Sequence, residues 1–189
     1  GERTALAGIM RLVAEAQRMA DLGSFEWDAA SGELQWSEEL YRIYGVTPQD
    51  FTPTFETFLA HLHPDDRERV QSMALSVLEN GMPIKYEERV LRPGGGVRLL
   101  ATEVTPVKDS AGHVVRLIGA CHDITQRKQA EVEREKLLKE LTVRNVEMEA
   151  FTYTISHDLK SPLITIGGFS SLLEKDIALG DRAAMDDSL

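Results

Sequence analysis

The chain has 189 residues, 42% hydrophobic and 28% charged, enough for one good core with an extension or for two small domains. A formal net charge of -10, with no segregated Lys/Arg patch, argues against a nucleic-acid partner, whose phosphates would be repelled. A single cysteine, Cys121, excludes an internal disulfide framework and fits a reducing compartment, and no apolar run approaches the roughly 18 residues of a membrane span.

The opening Gly1-Glu2-Arg3 carries neither an initiator Met nor an apolar signal core, so a piece of a longer chain is expected, on the cytoplasmic side of any membrane that its parent occupies. Residues 4–20 place Leu6, Ile9, Met10, Val13, Ala16 and Ala20 at helical spacing. Ser24 to Asp28 and Glu33 to Trp36 alternate polar and apolar around an Ala30-Ser31-Gly32 turn, the pattern of a β-hairpin. Ser37 with Glu38 and Glu39 reads as a helix start, and Gly45 ends the short helix of Leu40, Tyr41, Ile43 and Tyr44. Phe55, Phe58, Leu59 and Leu62 give a second short helix. His63-Pro64-Asp65-Asp66 opens a longer one, with Pro at the first helical position and two carboxylates at the positive end of the dipole. Three strands follow, Ile84 to Leu91, Val97 to Val107 and Val114 to Ile124, separated by Gly-rich turns. The pattern predicts an α+β domain with a five-stranded antiparallel sheet and short helices.

From Thr125 the character changes. Residues 126–149 contain no Gly or Pro and are dominated by charge, with Leu138, Leu141 and Met148 as the apolar markers. The heptad is imperfect, since Asn145 occupies a core-like position and Leu137 beside Leu138 shifts the phase. A solvated charged helix and a parallel two-stranded coiled coil both fit; continuity with the next segment favours the coiled coil.

That segment is Phe151-Thr152-Tyr153-Thr154-Ile155-Ser156-His157-Asp158-Leu159-Lys160-Ser161-Pro162-Leu163. On a helix, Phe151, Ile155 and Leu159 share one face and His157 projects roughly opposite. Asp158 is placed to accept a proton from the ring nitrogen that does not react, which raises the nucleophilicity of the other. Lys160 and Ser161 lie on the His157 face, where they can contact a phosphoryl group. Ser156-His157-Asp158 names the components of a hydrolase triad, but neighbours on one helix point about 100° apart and cannot form that chain. A metal site would need a second ligand a turn away, where Tyr153 and Ser161 are poor candidates.

The segment resembles the H-box of the dimerisation and phosphotransfer domain of histidine kinases. The resemblance implies His157 as phosphoacceptor, Asp158 as acid/base, and Pro162 as the proline that bends the helix; Ser161 stands where many members have Thr or Asn. Gly23 to Trp27, Trp36 to Gly45, His63 to Asp66 and Asp123-Ile124-Thr125-Gln126-Arg127-Lys128 resemble, in that order, the pieces of a PAS sensor domain with its exit into a signalling helix. The implied partners are a second copy through the helices, a response-regulator receiver domain, and the ATP-binding domain of the parent kinase. ATP and Mg belong to that domain, and no cofactor is expected in this chain.

His61 and His63 with Asp65 and Asp66 suggest a metal or haem site, yet a helix start explains them as well. Cys121 lacks the Asn-Cys-Arg context of a flavin-binding PAS relative and reads as a small core filler. Trp27, Trp36 and Phe58 fit either a small-molecule cavity or a plain core, and no ligand is named by them. The expected organisation is an N-terminal amphipathic helix (1–20), a PAS domain (21–124), a coiled-coil linker (125–150) and a truncated phosphotransfer domain (151–189). In that last part, Phe169, Leu172 and Leu173 continue the helix to about Lys175, Leu179-Gly180-Asp181 turns, and Arg182 to Leu189 begins a returning helix. The rival reading is a PAS and coiled-coil interaction module whose His157 is never phosphorylated.

Overall fold

Four helices and five strands precede one long helix in the structure, a computed structural model that describes residues 2–186. In chain order these are α1 (Glu2–Met19), β1 (Leu22–Asp28), β2 (Leu34–Trp36), α2 (Glu38–Tyr44), α3 (Phe55–His61), α4 (Pro64–Asn80), β3 (Ile84–Leu91), β4 (Val97–Lys108), β5 (Val114–Asp123) and α5 (Thr125–Asp186). The sheet is antiparallel throughout, in the order β2-β1-β5-β4-β3. Two units separate by their contacts, residues 1–130 and 131–189.

Local chemistry fixes the starts of the helices. The Ser37 hydroxyl accepts the Leu40 amide at 3.3 Å and the Ser24 amide of β1 at 2.9 Å, so one side chain caps α2 and ties it to the sheet. Thr54 and Thr57 form a reciprocal capping box at α3. His63 caps α4, its ring nitrogen accepting the Asp65 amide at 3.3 Å, with Pro64 next in line. Gly45 ends α2 at φ 73°, a left-handed conformation that disfavours a side chain.

These helices lie over one face of the sheet. Leu40, Ile43 and Tyr44 from α2, Leu62, and Val70 and Val77 from α4 are buried against Val90, Leu100, Val104, Leu117 and Cys121 of the strands. Each large apolar side chain so buried contributes about 1.5–3 kcal/mol. The alternation of Val90, Leu100, Val104 and Leu117 with outward polar residues is what fixes the register.

The expected turn at Leu179-Gly180-Asp181 and the returning helix from Arg182 are not formed: α5 runs unbroken to Asp186. A glycine inside a helix costs only about 1 kcal/mol relative to alanine. The stretch from Arg182 to Leu189 offers about two turns, too little apolar surface to hold a return. Residues 187–189 of that expectation lie outside the described residues.

Candidate functional site

Three places on the molecule carry chemistry. The first is the core of the α+β unit. Phe25, Trp27, Trp36, Phe55, Phe58 and Tyr44 surround a cavity of about 40 Å³, room for about one water molecule. The aromatic rings fill the remaining space themselves. Trp27 stacks on Phe55 at 5.7 Å, and Trp36 meets Tyr44 at 4.5 Å and Phe51 at 5.1 Å between centroids. Trp27, Trp36 and Phe58 therefore border a space of one water's size and pack against the buried core, as the plain-core expectation had it. His61 joins this cluster edge-on to Phe51 at 5.0 Å, with its Nδ1 2.9 Å from the Thr57 carbonyl.

Beyond the aromatic rings lies a buried polar set. Glu88 is 1% exposed, and Thr102 donates to its Oε1 at 2.9 Å. Burial raises the Glu88 carboxyl to about 7, against the opposing pull of the Thr102 hydrogen bond. Burial likewise pushes the Tyr44 and Tyr86 phenols and the Cys121 thiol up, with Glu88 adding to each. A thiol so raised is inert, in keeping with Cys121 as core filler. Sequence reading passed over Glu88 because it stands between Glu87 and Arg89 in a visibly polar run. The signal was its phase: Tyr86, Glu88 and Val90 alternate inward on β3.

The second place is the exit from the sheet. Asp123, the last residue of β5, accepts the Thr125 amide at 3.0 Å and so satisfies the first free donor of α5. The Thr125 hydroxyl donates to the same carboxylate and accepts the Leu99 amide of β4 at 2.8 Å. Arg98 holds Asp123 at 3.4 Å, and Lys128 reaches Glu87 at 3.6 Å. The start of α5 is thus pinned to both β4 and β3.

The third place is α5 around His157. His157 Nδ1 lies 3.4 Å from Asp158 Oδ1, and both side chains are exposed, 72% and 73%. That distance is at the outer edge of a hydrogen bond, and it leaves Nε2 pointing elsewhere. Lys160 and Ser161 follow on the next turn, and among the described residues neither side chain forms a hydrogen bond or ion pair with His157 or Asp158. Pro162 has no N–H for the Asp158 carbonyl, four residues before it, so the ladder is interrupted directly beneath the pair. Phe151 (63% exposed) and Leu159 (59%) leave the apolar face of this stretch open.

Residues 33–121 match the family model described as PAS fold, and the five-stranded unit with its helices is a PAS domain. Its relatives include sensor proteins of histidine-kinase type. Sensor protein FixL of Bradyrhizobium diazoefficiens is 31% identical over 58% of this chain and 22% of its own length. Methanogenesis regulatory histidine kinase FilI of Methanothrix harundinacea is 25% identical over 94% of this chain and 24% of its own. A protein of Escherichia coli K12 described as "Probable diguanylate cyclase DgcE" is 24% identical over 64% of this chain and 11% of its own. Among solved structures, a sensory box histidine kinase/response regulator of Burkholderia thailandensis E264 superposes with a TM-score of 0.53 and 28% identity, over 66% of this chain and 95% of that one. The chain spans a quarter or less of the curated relatives named.

Proposed function

We propose that this chain is the sensory and phosphoacceptor portion of a two-component histidine kinase. In this reading the PAS domain controls autophosphorylation of His157 and onward transfer to an aspartate of a response-regulator receiver domain, on the cytoplasmic side. The observation that carries it is the exposed His157–Asp158 pair, 3.4 Å apart on α5 in the turn before Pro162. Asp158 accepts the proton on Nδ1, the Nε2 lone pair attacks the γ-phosphorus of ATP, and ADP leaves with the bridging oxygen. ATP and Mg are supplied by a separate ATP-binding domain of the parent. Lys160 and Ser161 lie within reach of the transferred group from the following turn.

The similarity to FilI extends over 94% of the chain and therefore includes the helical part as well as the PAS domain. Exposed apolar residues on α5 support pairing with a second copy. Leu138, Leu141, Met148, Ile155, Leu159, Ile166 and Phe169 follow the three-and-four spacing of a coiled-coil seam, and each is at least 40% exposed in the single chain. Among the described residues no helix is long and apolar enough to cross a membrane.

Supplying the ATP-binding domain of a related kinase with γ-labelled ATP tests the reading. The expected result is acid-labile, base-stable label on this chain that is absent from His157→Gln. The similarity to the diguanylate cyclase, confined to 64% of the chain, favours one rival: a PAS and coiled-coil module that drives a different output. Unlabelled wild type under conditions where the related kinase labels its own acceptor would select that rival.

A further inference from the structure

Strand β3 turns Tyr86, Glu88 and Val90 toward the core and Lys85 and Glu87 toward solvent. Across the sheet, Glu88 stands opposite Leu100, while Tyr86 stands opposite Thr102 and Thr102 opposite Cys121. Glu88 is thus diagonal to Thr102 and takes one hydrogen bond from it, at Oε1. Its Oε2 has no partner among the described residues. A charged oxygen buried without a partner is far more costly than a neutral carboxyl in the same place.

The surroundings offer little to offset a charge. Helix α2 contributes Tyr44, with His61 of α3 packed behind it at 6.1 Å between centroids. β3 contributes Tyr86, β4 Thr102 and β5 Cys121, all neutral in the core. From α4, Arg69 pulls the Glu88 carboxyl down and Asp66 pushes it up. Arg69 is half exposed and engaged elsewhere, donating to the Glu87 carbonyl at 2.7 Å and lying 3.7 Å from Asp66.

We propose that Glu88 is a proton-sensing residue of the PAS domain: the core accepts it neutral, and loss of its proton repacks β3 against β4 and loosens the attachment of α5. The route lies along one row of the sheet. Glu88 pairs with Leu100, and Leu100 with Asp123, whose carboxylate caps α5. The neighbouring residue in β4, Leu99, exchanges two hydrogen bonds with the exit: its amide donates to Thr125 Oγ1 and its carbonyl accepts the Ile124 amide at 2.9 Å. Glu87, beside Glu88, holds Lys128. A shift of β3 relative to β4 therefore reaches both ties of the helix. Nothing in this inference depends on phosphorylation of His157, so the two can fail separately.

The whole chain, labelled with 13C-glutamate, is titrated by difference infrared spectroscopy from about pH 5 to about pH 9, and amide exchange at Leu99 and Ile124 is followed alongside. Wild type should show one protonated carboxyl that titrates near 7 and is missing from Glu88→Gln. Thr102→Val, which removes the bond favouring the charged form, should raise that midpoint. Exchange at Leu99 and Ile124, corrected for intrinsic rates, should quicken above the midpoint in wild type and stay level in Glu88→Gln. Should Glu88→Gln not fold, the Thr102→Val shift decides alone. The proposal is overturned if no carboxyl titrates in that window, if Thr102→Val leaves the midpoint unmoved, or if junction exchange responds to pH identically with and without Glu88.

Discussion

The hydroxyl of Thr125 receives the amide of Leu99 at 2.8 Å, so the first residue of the long helix takes up a backbone donor of strand β4. Its own amide and hydroxyl donate to Asp123. Thr125→Val keeps the β-branched shape and removes the hydroxyl's two bonds. It should cost about 1–2 kcal/mol in urea unfolding, the range for losing a helix cap. Faster exchange at the Leu99 amide should accompany that loss, with Thr125→Ser near wild type. Unchanged Leu99 exchange in Thr125→Val would show that the hydroxyl does not tie β4 to α5.

Phe25 of β1 lies directly opposite Gly119 of β5, and its ring covers the space that a side chain there would need. A Cβ on Gly119 would come within 2.0 Å of Phe25 Cε1, a contact that only displacement of the ring can relieve. Gly119→Ala should therefore destabilise the PAS domain by about 1–3 kcal/mol, the usual cost of overpacking. Phe25→Leu in the same chain should recover part of it, a coupling visible as non-additive unfolding free energies.

Two buried carboxylates give the PAS domain opposite pH slopes. Asp66 accepts the Arg89 amide and both arms of its guanidinium at 2.8 to 3.0 Å, and these bonds hold its carboxyl down at about 2. Its contribution is complete above the unfolded value of 3.8 and is lost as pH falls toward about 2. Glu88 is raised from 4.5 to about 7, so its contribution is complete below 4.5 and is lost as pH rises through 7. The urea midpoint should peak at mildly acidic pH and decline toward neutrality. Glu88→Gln should flatten the neutral limb alone, and Asp66→Asn the acid limb alone. A wild-type midpoint that rises steadily from pH 4.5 to 7 would contradict the assignment of Glu88.

Where the hydrophobic period and the caps spoke together, the sequence was legible. Ser37, Pro64 and the Gly45 stop placed α2 and α4, and the expected bounds Ile84 to Leu91 are those of β3. Illegible were the features that depend on distant partners. The Asp66–Arg89 pair spans 23 positions, and Asp66 read simply as a first-turn acid. Thr54, half of the capping box at α3, was passed over directly after the loop proline Pro53, because its partner Thr57 is neither Glu nor Gln. At the other end, Leu179-Gly180-Asp181 carried a turn signal that α5 overrides, since nothing across from it rewards a return.

At the proposed acceptor, His157 and Asp158 contribute little to folding because both are largely exposed. His157→Gln and Asp158→Asn should each shift stability by no more than about 0.5 kcal/mol. If the proposed chemistry holds, His157→Gln abolishes labelling, while Asp158→Asn slows it strongly with ATP affinity unchanged, because only the proton acceptor is lost. Labelling of Asp158→Asn at the wild-type rate would assign the base elsewhere.

On the proposed function, the segment between the PAS domain and His157 is the place where a change at the sheet becomes a change at the acceptor. Its repeat is irregular: Asn145 sits at a seam position between Leu141 and Met148, and Leu137 beside Leu138 offers a second phase. A polar seam residue weakens any one register, so in the proposed pair of helices two packings can lie within a few kcal/mol, and we propose that a modest bias from the PAS domain selects between them. Removing 131–137 takes out one whole heptad and restores the phase of the seam. Removing 131–134 shifts the seam by about half a repeat and turns His157 to a different side of the pair. In the restored parent kinase, the first deletion should preserve both basal labelling and its response to stimulus, whereas the second should leave the kinase fixed in one state. Equal activity and equal responsiveness in both deletions would show that the segment is a passive tether, and the two-packing account would fall.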